Sequence, residues 1–206
     1  MMTIDEFINE LSHEKETEYF ENFYKDENKR NNLKAYLEEM KKIHPKVLLV
    51  GEAPGYLGCA ITGVPFTDER VIKDYNEILP GEYKVNGYQK ERTARAMWDV
   101  VKELGQVPLF WNSFPLHPHK VGNVKSNCPP RYEDKNNIGK KYIQYIIQMF
   151  EIEKVYAVGL QAFNTLKEMD VNGFEGTKEK SYIRHPSYGG KTECQNKIRE
   201  IFDAIR

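Results

Sequence analysis

Cysteine is scarce in this chain, and the few thiols do not pair. Cys59, Cys128 and Cys194 stand far apart in 206 residues with no Cys-x-x-Cys among them. So odd a set excludes a disulfide framework and leaves three reduced thiols. No apolar run approaches the length that crosses a bilayer, and the mean hydropathy is −0.68. The opening Met1-Met2-Thr3-Ile4-Asp5-Glu6 carries neither the basic nor the apolar segment of a secretory signal, so a cytoplasmic protein without membrane attachment is expected. A Gly-x-Ser-x-Gly elbow is missing, which disfavours an esterase-like hydrolase. An excess of either charge is missing too: 30 Lys and Arg face 31 Asp and Glu, and the total argues neither for nor against nucleic acid.

What is present is a globular composition, 40% apolar and 30% charged, with no repeat, low-complexity tract or linker. One domain over 1–206 is expected, with an N-terminal helical region over 1–45. Charge is uneven along it. Residues 1–30 hold nine acids and four bases, whereas 118–141 carry Lys120, Lys125, Arg131, Lys135, Lys140 and Lys141 against Glu133 and Asp134. That pattern fits a phosphate-facing surface beside an acidic far side, and equally an ordinary mixed surface.

Thr3 and Glu6 fit a capping box, with Ile4, Phe7, Ile8 and Leu11 at helical spacing behind it; Leu33, Tyr36, Leu37 and Met40 repeat the spacing until His44-Pro45 stops it. Val47-Leu48-Leu49-Val50 then reads as a strand buried on both faces. Helix and strand alternate from there. Ala94, Met97, Trp98 and Val101 share a helix face before a strand at 107–111. Tyr142, Ile143, Ile146, Ile147 and Phe150 do so before a strand at 154–159, and Ala162, Phe163 and Leu166 begin the helix after it. A weaker strand at 181–184 and a closing helix with Ile198, Ile201, Phe202 and Ile205 complete the series. This order predicts an α/β fold: a three-layer α/β/α arrangement around a central, mostly parallel, four-stranded sheet.

In such sheets the ligand crevice lies beyond the carboxyl ends of the strands. Three loops fall there: Gly51-Glu52-Ala53-Pro54-Gly55, Asn112-Ser113-Phe114-Pro115 and His185-Pro186-Ser187. They bring a carboxylate, a carboxamide and an imidazole to one rim, each beside a stiffening proline.

In that order these segments resemble the uracil-DNA glycosylase superfamily. Val47 to Gly55 is similar to its first motif in the Gly-Glu-x-Pro-Gly form of the iron–sulfur branch. Gly63-Val64-Pro65-Phe66 is similar to that branch's Gly-x-Pro-Phe, Asn112 matches the Asn ending a core strand, and His185-Pro186-Ser187 matches the closing motif. The likeness runs from 47 to 191. It departs in three places. Three cysteines cannot supply four cluster thiolates, although Cys128-Pro129-Pro130-Arg131 resembles the segment around one of them. Where many members wedge a leucine into the duplex this chain has Tyr188-Gly189-Gly190-Lys191, so either Tyr188 is the wedge or there is none. The stretch from Asn112 to Arg131 is longer than its counterpart.

The resemblance implies a monofunctional DNA glycosylase of base excision repair, needing no cofactor, whose partner is DNA containing uracil or a related deaminated base and whose state is monomeric. Glu52 and His185 would be catalytic. Glu52 would handle the attacking water beside the sugar, and His185 would donate to uracil O2 as negative charge gathers there. Phe66 would stack on the flipped base. Asn112 would accept from N3–H and donate to O4, a pattern that cytosine reverses. Gly51, Ala53, Pro54 and Tyr56 would complete the base pocket, Tyr56 crowding the C5 position. Gly55, Pro65, Ser187, Tyr188 and Lys191 would meet the DNA. In isolation an Asn in a turn, a His before Pro or a Phe in an apolar run is ordinary structure; the constellation carries the inference. A catalytically inactive binding module on the same fold is the alternative. His117, His119 and Cys128 offer no fourth ligand at a zinc-like spacing, and Gly159-Leu160-Gln161-Ala162 lacks the glycines of a nucleotide fingerprint.

Overall fold

The computed structural model describes residues 2–79 and 81–205. Thr3 Oγ1 accepts the Glu6 N–H at 3.2 Å while the Glu6 carboxylate accepts the Thr3 N–H at 2.8 Å, and this capping box starts α1 (Ile4–Ser12). The chain then passes through β1 (Phe20–Glu21) and a 3₁₀ turn at Phe23–Lys25 into α2 (Glu27–Ile43). His44, left-handed at φ +52°, closes α2 just before Pro45. β2 (Val47–Gly51), α3 (Cys59–Thr62), α4 (Glu69–Asp74), α5 (Arg92–Leu104), β3 (Leu109–Asn112) and β4 (His117–Pro118) follow. The later elements are α6 (Tyr132–Asp134), α7 (Lys140–Phe150), β5 (Lys154–Val158), α8 (Leu160–Met169), α9 (Lys178–Ser181), β6 (Tyr182–Ile183) and α10 (Lys191–Asp203).

Four strands form one parallel sheet in the order β3-β2-β5-β6, with Gly51 opposite Asn112, Val50 opposite Ala157 and Val158 opposite Ile183. Every residue of β2 is buried, as its unbroken apolar run requires. Successive residues of β3 face opposite ways. Trp111 meets Phe7 of α1, which in turn meets Tyr142 of α7, whereas Phe110 meets Trp98 of α5. Helices therefore cover both faces, and the three-layer architecture is as the sequence predicts. On the outer edge of β3 the Tyr36 hydroxyl accepts the Phe110 N–H at 2.8 Å and donates to the Phe110 carbonyl at 3.4 Å.

Three details differ from the sequence reading. The strand expected at 107–111 begins at Leu109, because Pro108 has no N–H to give a ladder. The N-terminal region is not helical throughout: β1 interrupts it and pairs antiparallel with β4, Phe20 opposite Pro118. A five-residue π-helical turn, Lys135–Gly139, leads into α7. The order of the main sheet reverses at β2, whose neighbours on its two sides are β3 and β5, and this divergence opens a crevice above their carboxyl ends.

Candidate active site

A cavity of about 490 Å³ occupies that crevice. The turn after β2 supplies Gly51 to Gly55, β3 ends in it with Asn112, the β5–α8 turn supplies Val158 to Ala162, and the loop after β6 supplies His185, Ser187 and Tyr188. The backbone holds these turns together. Ser113 N–H donates to the Gly51 carbonyl at 2.8 Å, and Phe114 N–H and Ser113 Oγ donate to the Glu52 carbonyl at 3.0 and 2.9 Å.

Phe66, Gly51 and Asn112 form the floor. Phe66 is buried in the left-handed region at φ +56°, a costly backbone for an aromatic residue. Its carbonyl is held by the Trp98 indole N–H at 3.1 Å and its ring lies 5.1 Å from that of Phe110. A side chain at Gly51 has no room: a Cβ there would stand 2.7 Å from Phe66 Cζ and 2.8 Å from Asn112 Oδ1. Asn112 is 5% exposed, yet among the described residues no group bonds its carboxamide. The amide opens on the cavity with its full donor and acceptor capacity free to engage a ligand.

His185 is set up as a donor. The Ser187 backbone N–H gives a hydrogen bond to its Nδ1 at 3.2 Å, with Ser187 Oγ 2.6 Å from the same atom. A backbone N–H can only donate, so Nδ1 accepts and the ring's hydrogen is on Nε2, which no described residue engages. Burial holds the pKa of His185 below the usual histidine value and keeps the ring neutral. Burial pushes the Glu52 carboxyl upward, partly offset by the positive charge of Lys135. The cavity thus combines an aromatic floor, an unpaired amide, a neutral N–H donor and a basic carboxyl.

No protein-family model matches the chain, and no curated protein matches it. A solved structure does: the crystal structure of wild-type Pedobacter heparinus SMUG2, of the uracil-DNA glycosylase family, at a TM-score of 0.63 and 16% identity, over 100% of this chain and 99% of that one. This chain has a uracil-DNA glycosylase-like fold.

Of the residues marked in the sequence, Gly51, Glu52, Ala53, Pro54, Gly55, Phe66, Asn112, His185, Ser187 and Tyr188 line this cavity. Tyr56, Pro65 and Lys191 do not. Tyr56 contributes a backbone N–H to Asn127 Oδ1 at 3.1 Å, Pro65 is buried, and Lys191 is paired with Asp99 at 2.8 Å. Tyr188 stands at the cavity mouth, 98% exposed and left-handed at φ +49°. Among the other lining residues are three polar ones to which the sequence assigned no part, Glu91, Thr93 and Asn127, together with Cys128. Among the described residues no three His, Cys, Asp or Glu groups converge to hold a metal ion, and both ring nitrogens of His117 face backbone carbonyls.

Proposed function

We propose that the protein is a monofunctional DNA glycosylase that hydrolyses the N-glycosidic bond of uracil or a related deaminated base. The observation that carries this reading is the unpaired, buried carboxamide of Asn112 beside the Phe66 ring, under a glycine that leaves the floor open. A flipped uracil stacked on Phe66 would present N3–H and O4 to that amide, and the stack itself is worth about 1–3 kcal/mol. Cytosine, with its donor and acceptor reversed, would leave the amide unsatisfied.

Bond breaking puts positive charge on the sugar and negative charge on the base. His185 serves the base: its Nε2–H donates to O2 as charge develops, and a neutral donor needs no proton transfer to do so. Glu52 serves the sugar, stabilising the cation and orienting the water that attacks it. Gly55 and Ser187 position the nucleotide backbone, Ala53 borders the base, and Tyr188, exposed at the mouth, fills the gap left in the stack, while Tyr56 and the buried Pro65 act only through the loops that carry them. Lys191 reaches a phosphate only by leaving Asp99.

The test is base release from labelled oligonucleotides holding one uracil, single-stranded or opposite guanine or adenine, with hot alkali to reveal abasic sites. Release by the wild type, and its loss in folded Asn112→Ala and His185→Ala, supports the reading. Full activity in both variants overturns it. Salt-dependent DNA binding without release assigns an inactive binding module instead.

A further inference from the structure

Glu91 precedes α5 inside a polar stretch, Gln89-Lys90-Glu91-Arg92-Thr93, that by itself describes a solvated helix start. The fold treats it otherwise. Its N–H donates to Asp68 Oδ2 at 2.5 Å and its carbonyl lies 3.5 Å from Arg70 Nη2, while Asp68, fully buried, is itself paired with Arg70 at 3.2 Å. The main chain at 91 is clamped, so the side chain enters the cavity wall from a fixed base. It does not turn back to cap α5.

Two glycines make its space. A Cβ at Gly58 would lie 2.4 Å from Glu91 Oε2, and one at Gly55 would lie 3.2 Å from Oε1. The carboxyl therefore rests directly on the turn that carries Glu52. Among the described residues nothing donates to either oxygen, although the group lines the same cavity as Asn112 and His185. The side chain is only partly exposed, and a half-buried carboxyl that opens on a cavity without a protein donor is a group that folds keep where chemistry needs it. An acceptor-only group facing a cavity can be satisfied only from inside it, by water or by a ligand N–H or O–H. A phosphate would be repelled.

We propose that Glu91 is a second working carboxyl of this site, the one that takes the proton of the attacking water while Glu52 holds the sugar cation. This rests on the glycosylase reading of the cavity. The step balances: a water O–H bond breaks and its proton passes to Glu91, while the water oxygen bonds C1′ of the sugar. The bond from C1′ to the base breaks with its electron pair going to the base, whose oxygen is held by His185 Nε2–H. The base anion then takes up a proton from solvent, and Glu91 releases its own. Burial and the like charge of Asp68 push the Glu91 carboxyl up to about 7, where a general base is half-ready at neutral pH. The titratable and charged groups around it are Asp68 and Arg70 at the start of α4, Cys59 of α3 and, lining the same cavity, Glu52 and Cys128.

The experiment is a pH series of single-turnover base release from a single-stranded uracil oligonucleotide, with wild type, Glu91→Gln and Glu52→Gln, each checked by thermal unfolding. The wild-type rate should rise about tenfold per pH unit and level off near pH 7. Glu91→Gln should keep its fold, lose about tenfold or more on the plateau and lose the rising limb, whereas Glu52→Gln should be slower with that limb kept. A Glu91→Gln enzyme of full activity, or one slowed equally at every pH with the limb intact, overturns the proposal. No release by folded wild-type protein from oligonucleotides carrying uracil or another deaminated base overturns the glycosylase reading itself, and the role of Glu91 with it.

Discussion

The imidazole of His117 bridges two segments: Nδ1 lies 2.8 Å from the Pro54 carbonyl and Nε2 lies 2.9 Å from the Val124 carbonyl. Both partners are backbone carbonyls, which only accept. The ring is 1% exposed. It ties the turn after β2, which carries Glu52, to the loop that supplies Asn127 and Cys128 to the cavity. His117→Leu removes both bonds and strands two carbonyls, a loss of about 1–3 kcal/mol. A lower midpoint in urea unfolding is expected, together with slower base release although residue 117 lies outside the cavity lining. An unchanged midpoint would show that the bridge holds nothing.

Gly51→Ala tests the floor without altering a polar group. The added methyl would sit 2.7 Å from Phe66 Cζ, so either the ring leaves its place or the base cannot enter. Base release should fall by about a hundredfold, as active-site misplacements of an ångström do, and uracil binding measured by calorimetry should weaken with it. Retained affinity would mean that the base sits elsewhere.

Ser187 separates orientation from donation at His185. In Ser187→Ala the backbone N–H at 3.2 Å still serves Nδ1, so the tautomer survives and base release should drop only modestly. His185→Ala removes the donor and should cost about 10²–10³ in rate. Equal losses in the two variants would show that the serine hydroxyl, not the backbone, sets the ring.

Glu91 should also mark the pH dependence of stability. Its folded pKa, about 7, lies above the ordinary value of 4.5, so between these the folded state holds a proton that the unfolded state has lost. Stability from this group is present below the unfolded value and falls as pH rises to about 7, by on the order of 3 kcal/mol. Glu91→Gln should therefore raise the unfolding midpoint at alkaline pH while leaving it nearly unchanged in acid. A variant less stable at every pH would point to a packing role.

The sheet was legible because β2 and β5 are short apolar runs bounded by Gly51 and Gly159, and because helix faces such as Tyr142-Ile143-Ile146-Ile147 keep strict spacing. β1 and β4 were not, since two-residue strands leave no period to read and their pairing joins residues nearly a hundred positions apart. Of the site, the residues beside Gly and Pro stood out, as turns at strand ends do. Glu91 did not: among charged neighbours it looks solvated, and it becomes a cavity group only once Asp68, Gly55 and Gly58 are packed around it. Tyr56 misled in the opposite way, adjacent in sequence to the turn but outside the cavity lining.

The contact between Tyr36 and Phe110 has a bearing on how these molecules behave in company. One phenol occupies both backbone groups of Phe110 on the outer margin of the sheet, and at the other margin β6 is two residues long. Among the described residues, the Phe110 amide on one border is thus already taken, and the other border is too short to template a second chain over any length. On these two borders, concentrated or partly opened molecules are thereby hindered in the simplest route to fibrous aggregation.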